Sequence, residues 1–147
     1  MKRILVLLDK SIYQDIKPLI IKFGEVLLSN DYYIESLMFD EKDVNLYKNF
    51  IGKDIVVIFT SNRSFENLFL FNRDFFIKIP KFIVIQCGSS AISLDYKANR
   101  LLFKKIIHKY KINEYEEFVL GNINSVDSLN PTYFDAIETI GKIINEG

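Results

Sequence analysis

Five short apolar runs constrain this chain more than any other feature of it: Arg3–Leu8, Tyr32–Phe39, Asp54–Thr60, Lys81–Cys87 and Glu116–Leu120. Three contain near-continuous stretches, Ile4-Leu5-Val6-Leu7-Leu8, Ile55-Val56-Val57-Ile58-Phe59 and Phe82-Ile83-Val84-Ile85. An uninterrupted run of this kind suits a strand buried on both faces, as in a parallel sheet covered by helices. Tyr32–Phe39 alternates more, which suits a strand nearer an edge.

Helical spacing fills the intervals. In Ser11–Leu28 an apolar stripe runs through Ile12, Ile16, Leu19, Ile20, Phe23, Val26 and Leu27. Ser11 is placed to cap its start, and Pro18 predicts a kink or a late start. Glu41–Phe50 reads as a short polar helix, Ser64–Ile77 as a very apolar one, and Ser93–Tyr110 and Pro131–Asn145 as the clearest helices. Pro131 at a first helical position, after Asn130 as cap, is a start signal with a mechanism. Strands alternating with helices imply right-handed crossovers and a doubly wound sheet. The expected architecture is therefore α/β: a three-layer sandwich around a five-stranded parallel sheet of order 2-1-3-4-5, as one domain over residues 1–147.

Composition narrows the partners. A chain of 147 residues with 49% hydrophobic content can bury a core without staples. Formal net charge is zero, so no global field recruits nucleic acid or an anionic membrane. One cysteine, Cys87, excludes an internal disulfide and a multi-cysteine metal site, and a cytoplasmic, reducing setting is the expectation. The basic start Lys2-Arg3 precedes an apolar run that stops at Asp9, too short for an export signal. No stretch approaches the roughly 18 apolar residues needed to span a bilayer.

Ligands of doubly wound sheets bind beyond the carboxyl ends of the strands. Here that means the loops Asp9–Ser11, Thr60–Phe65, Cys87–Tyr96 and Gly121–Asn130. A dinucleotide loop needs Gly-x-Gly-x-x-Gly after the first strand, but Leu8-Asp9-Lys10-Ser11-Ile12-Tyr13 contains no glycine. A Walker loop is absent. A phosphoacceptor receiver needs an aspartate ending the third strand, which here ends Phe59-Thr60-Ser61. A phosphatase of low molecular weight needs its cysteine after strand one, whereas Cys87 follows strand four.

One resemblance remains. Val84-Ile85-Gln86-Cys87-Gly88-Ser89-Ser90 resembles the fourth strand and ring-wrapping loop of the flavodoxin-like family. The similarity extends through a long helix, a fifth strand ending Phe118-Val119-Leu120-Gly121, a polar loop and a final helix. It implies a flavodoxin-like fold that binds FMN, or a similar flat ligand, for electron transfer. No side chain need then be catalytic, because the redox chemistry belongs to the cofactor. The family's hydroxyl- and glycine-rich phosphate loop after strand one is absent. Asp9 would repel a phosphate there, while Lys10 and the helix start at Ser11 would attract one. If a flavin binds, Phe65 and Tyr96 are the aromatics placed to flank its ring. Gly88 and Ser89 offer backbone N–H groups to its edge, and Lys10, Ser11, Thr60 and Ser61 are left to hold the phosphate. The same two aromatics also read as a core residue and a helix cap.

Other classes stay open. The fold could serve as a ligand-free interaction or regulatory module. Glu66, just past strand three, resembles the glutamate of ribosyl-cleaving TIR-like enzymes, and also reads as a solvated first-turn carboxylate. Cys87 reads as a thiolate at a site mouth or as a small buried residue. His108 has no metal-ligating neighbours and reads as surface. The basic helix 97–111, with Lys97, Arg100, Lys104, Lys105, Lys109 and Lys111, is either a docking face for a redox or regulatory protein partner or a solvated face.

Overall fold

In the computed structural model, residues 1–40, 42, 46–61, 64, 67, 81–89, 100–101, 104–105, 108 and 114–146 are described. The strands are β1 (Lys2–Asp9), β2 (Tyr32–Phe39), β3 (Ile55–Thr60), β4 (Lys81–Cys87) and β5 (Glu114–Leu120). All neighbouring pairs are parallel, in the order β2-β1-β3-β4-β5. Among the described residues, continuous helices are α1 (Tyr13–Leu27), the single turn α2 (Tyr47–Phe50) and α3 (Pro131–Glu146). Ser64 and Asn67, and Arg100, Leu101, Lys104, Lys105 and His108, are also helical.

Burial follows the sequence pattern. Every residue of β3, the central strand, is buried. Its Ile55, Val57 and Phe59 share one face with Ile4, Val6 and Leu8 of β1 and Ile83, Ile85 and Cys87 of β4. This face packs on Ile16, Leu19, Phe23 and Leu27 of α1 and on Ile137, Ile140 and Ile144 of α3. Phe23 meets Phe59 edge to face, ring centroids 5.3 Å apart. Fully burying one such side chain contributes about 1.5–3 kcal/mol, so this layer is a large part of what stabilises the fold. The other face carries Leu5, Leu7, Val56, Ile58, Phe82 and Val84, and is buried as completely.

Among the boundaries that differ from expectation, three have a local reason. Asp54 lies outside β3 because its carboxylate accepts the Arg3 N–H at 2.7 Å while its own N–H donates to the Arg3 carbonyl at 2.8 Å. β5 begins at Glu114, because Glu114 and Tyr115 pair with Lys81 and Phe82 although neither is apolar. Ser11 does not cap α1. Ile12 is the N-cap, without a side-chain bond, and the Ser11 hydroxyl is engaged elsewhere. The helix starts before Pro18 and runs through it. Asn130 does cap α3, its Oδ1 accepting the Thr132 N–H at 3.0 Å.

Candidate functional site

The chain leaves β1 toward β2 on one side and returns to β3 on the other. The two following loops therefore diverge at the β1/β3 boundary, where a crevice forms in this topology. What stands at the strand ends beside it follows from register. Leu8 pairs with Phe59 and Thr60 with Gln86, so Asp9, Thr60 and Gln86 form a row on one face at the carboxyl ends of three adjacent strands. All three are buried, Asp9 to 1% exposure and the other two completely. Polar side chains there break the apolar pattern that fills the rest of that face.

Asp9 is the hub. Its Oδ1 accepts the Ser11 N–H at 2.9 Å and the Ser11 hydroxyl at 2.8 Å, closing an Asx-turn. Its Oδ2 accepts the Ser61 N–H at 2.8 Å, across the boundary between β1 and β3. The Thr60 hydroxyl lies 3.4 Å from Oδ2 but 3.0 Å from the Ser61 carbonyl, so its single proton serves the carbonyl better. The Ile12 N–H donates to the Asp9 carbonyl at 3.3 Å, completing a tight turn that needs no glycine. Ser61 is engaged twice over, because its hydroxyl accepts the N–H of helical Ser64 at 3.2 Å in the manner of an N-cap.

Ser11, Thr60 and Ser61 therefore converge, as a phosphate site requires. They converge on a carboxylate of the chain itself. Lys10 is exposed, and its backbone N–H donates to the Phe39 carbonyl. The Gly88 N–H, a candidate donor to a ring edge, donates to the Leu120 carbonyl at 3.3 Å, and the Gly88 carbonyl accepts from Ile123 at 2.9 Å. The loops after β4 and β5 are thus joined. Asn122 takes a left-handed conformation (φ 60°) that Asn tolerates, and Tyr133 donates to the Gly121 carbonyl at 2.7 Å. Ser89 is among the described residues, whereas Phe65, Glu66 and Tyr96 lie outside them.

Gln86 was not singled out from the sequence. Its side-chain nitrogen and oxygen are both buried and without a hydrogen-bond partner among the described residues. An orphaned buried amide is unfavourable by about 1–3 kcal/mol, which makes this position unusual. Both missed features had a signal: Asp-x-Ser at a strand end is an Asx-turn pattern, and a glutamine inside Phe82–Cys87 interrupts an apolar strand.

Cys87 resolves to its core reading. It faces α1 and α3 at 1% exposure, and burial, then the charge of Asp9, pushes its pKa up to about 12. It is no thiolate at a site mouth. Among the described residues no cluster of His, Cys, Asp and Glu could hold a metal, and no helix is long and apolar enough to cross a membrane.

Sheet order, register and the α1/α3 layer together define a flavodoxin-like α/β fold. Solved structures carry the same fold: NAD(P)H:quinone oxidoreductase from Methanothermobacter marburgensis (TM-score 0.63, 11% identity, 96% of this chain and 98% of that one) and a flavodoxin from Streptococcus pneumoniae TIGR4 (0.62, 11%, 95% and 95%). Flavodoxin 1 from Bacillus cereus is similar as well (0.59, 9%, 96% and 95%). At these identities the likeness is one of fold. No family model matches the sequence, and no curated protein does.

Proposed function

We propose that this chain is a flavodoxin-fold module that takes a flat ring ligand, in the first instance a flavin, at the carboxyl ends of β1, β3 and β4. The supporting observation is Gln86: a fully buried amide, unpartnered among the described residues, in register beside Thr60 at the switch point of the sheet. Its donor and acceptor match the alternating donors and acceptors along the edge of a heteroaromatic ring. Phe65 and Tyr96 would supply the apolar walls, and the Ser89 backbone a further donor. A bound flavin would supply electron transfer, and no side chain of the chain need react.

A second reading has its own support. Because Asp9 holds the Ser11 and Ser61 donors, the β1 loop is complete without a ligand, which suits an interaction or regulatory module on the same fold. The exposed Lys104, Lys105 and His108 would then form its docking face.

The absorption spectrum of freshly purified protein, followed by titration of riboflavin, lumiflavin and FMN with fluorescence quenching as readout, separates the two. Quenching by any of the three supports the ring site. None at high micromolar protein removes it, and the interaction module leads.

A further inference from the structure

We infer that the ligand of this crevice carries no phosphate at the end facing the β1 loop: the chain takes a flat ring with an uncharged tail, riboflavin rather than FMN. This rests on the ring-site reading above. It follows from how the Asp9 carboxylate is held. Its three short bonds use the Ser11 N–H, the Ser11 hydroxyl and the Ser61 N–H, each within 2.9 Å. These are the groups a phosphate in this loop would need, and an N–H that points at a carboxylate oxygen cannot point at a second anion. Of the other hydroxyls there, Thr60 donates to the Ser61 carbonyl, while Ser61 Oγ accepts from Ser64 and keeps one O–H, a single neutral donor against the Asp9 charge.

Charge reinforces geometry. A phosphate monoester bears about −1.5 to −2 near neutral pH and would sit against the Asp9 carboxylate in a buried setting, where repulsion is poorly screened. The one cation of the Asp9–Ile12 turn, Lys10, is exposed, where its attraction is weakened by solvent. The buried group beside the cage with unused bonding capacity among the described residues is the Gln86 amide, which is neutral. A hydroxyl or imide suits it, whereas a dianion would find its single N–H₂ group set against the Asp9 charge. FMN therefore does not fit the residues present.

Wild-type protein suffices for the first test. Riboflavin, lumiflavin and FMN are titrated at pH 7.5 and pH 5.0 by fluorescence quenching. Riboflavin should bind at least tenfold more tightly than FMN at pH 7.5. The gap should narrow several-fold at pH 5.0, where the phosphate has lost its second charge (pKa about 6), while lumiflavin affinity stays constant. In Asp9→Ser the Ser11 and Ser61 donors are released, and FMN should then bind as tightly as riboflavin or better. If that variant does not fold, as judged by circular dichroism, the pH comparison on the wild type decides. FMN binding as tightly as riboflavin to the wild type overturns the inference and leaves the ring site standing. So does a folded Asp9→Ser that still rejects FMN. Quenching by none of the three removes the ring site, and the inference with it.

Discussion

Asp9 Oδ2 lies 2.8 Å from the backbone nitrogen of Ser61, so the ends of β1 and β3 are joined by a side chain at the place where this topology sends the two loops apart. Through Oδ1 the same carboxylate closes the turn that leads into α1. One residue thus ties together the two strand ends and the turn that enters α1.

The strength of that joint can be measured. Asp9→Ala leaves the Ser11 and Ser61 N–H groups without their acceptor and should destabilise the fold by about 2–4 kcal/mol in chemical denaturation. Asp9→Asn retains one acceptor oxygen and should lose less. Thr60→Val removes only the 3.4 Å contact and a local carbonyl bond, and should change stability by no more than about 1 kcal/mol. A larger loss for Thr60→Val than for Asp9→Ala would invalidate the ranking of donors given above.

Most of the sheet was legible because burial on two faces leaves an unmistakable trace: Ile55–Phe59 and Phe82–Ile85 have no polar residue to suggest anything else. The edges were less so. Glu114 and Tyr115 join β5 by pairing, which sequence pattern does not record. At the site, the convergence of Ser11, Thr60 and Ser61 was foreseeable from strand ends alone. That they would turn inward to Asp9 was not, since Asp9 can be read as a repulsive neighbour of a phosphate as readily as its replacement. Distance decides that question, and distance between residues 9 and 61 is a property of the folded sheet.

Cys87 gives a pH prediction. Burial raises its thiol pKa from about 9 to about 12, so the folded chain keeps a proton that the unfolded chain releases in that interval. The resulting stability is complete below about pH 9 and is lost as pH rises toward 12, with a slope approaching about 1.4 kcal/mol per pH unit. Cys87→Ala should be less stable than wild type near neutrality by about 1 kcal/mol or slightly more, through the cavity, and should flatten this alkaline slope. The native thiol should resist a thiol reagent at pH 8 until denaturant is added. Rapid native labelling would mean that the strand end opens.

Gly141 of α3 has a different role, that of letting two helices approach. A Cβ built there would lie 2.5 Å from Val26 Cγ1 and 3.0 Å from Val26 Cβ on α1. Valine is stiff at χ1 in a helix and cannot swing aside. Gly141→Ala should therefore destabilise, the overpacking of about 1–3 kcal/mol outweighing the roughly 1 kcal/mol that alanine adds to helix propensity. In a Val26→Ala background the same change should become neutral or stabilising. Additive effects in this double-mutant cycle would place the contact elsewhere.

The basic helix separates into fold and surface. Arg100 Nε lies 2.7 Å from Glu117 Oε1 on β5, and the Glu117 side chain is only 8% exposed. Glu117 also accepts the hydroxyl of Tyr115, whose pKa is raised by burial first and by this bond second. Arg100→Ala would leave a mostly buried carboxylate without its cation, and should lower stability by about 1–2 kcal/mol, discounted because Arg100 is half exposed. Lys142→Ala breaks the exposed i,i+4 pair with Glu138 (3.3 Å) and should lower it by about 0.5 kcal/mol or less. Lys104→Glu and Lys105→Glu, both at exposed positions, should leave stability within about 0.5 kcal/mol of wild type. If this helix docks an acidic partner, those two reversals should abolish the interaction while Arg100→Gln leaves most of it, as read by affinity capture against the same bait. Equal loss of stability in Arg100→Ala, Lys104→Glu and Lys105→Glu would show that the helix serves the fold alone.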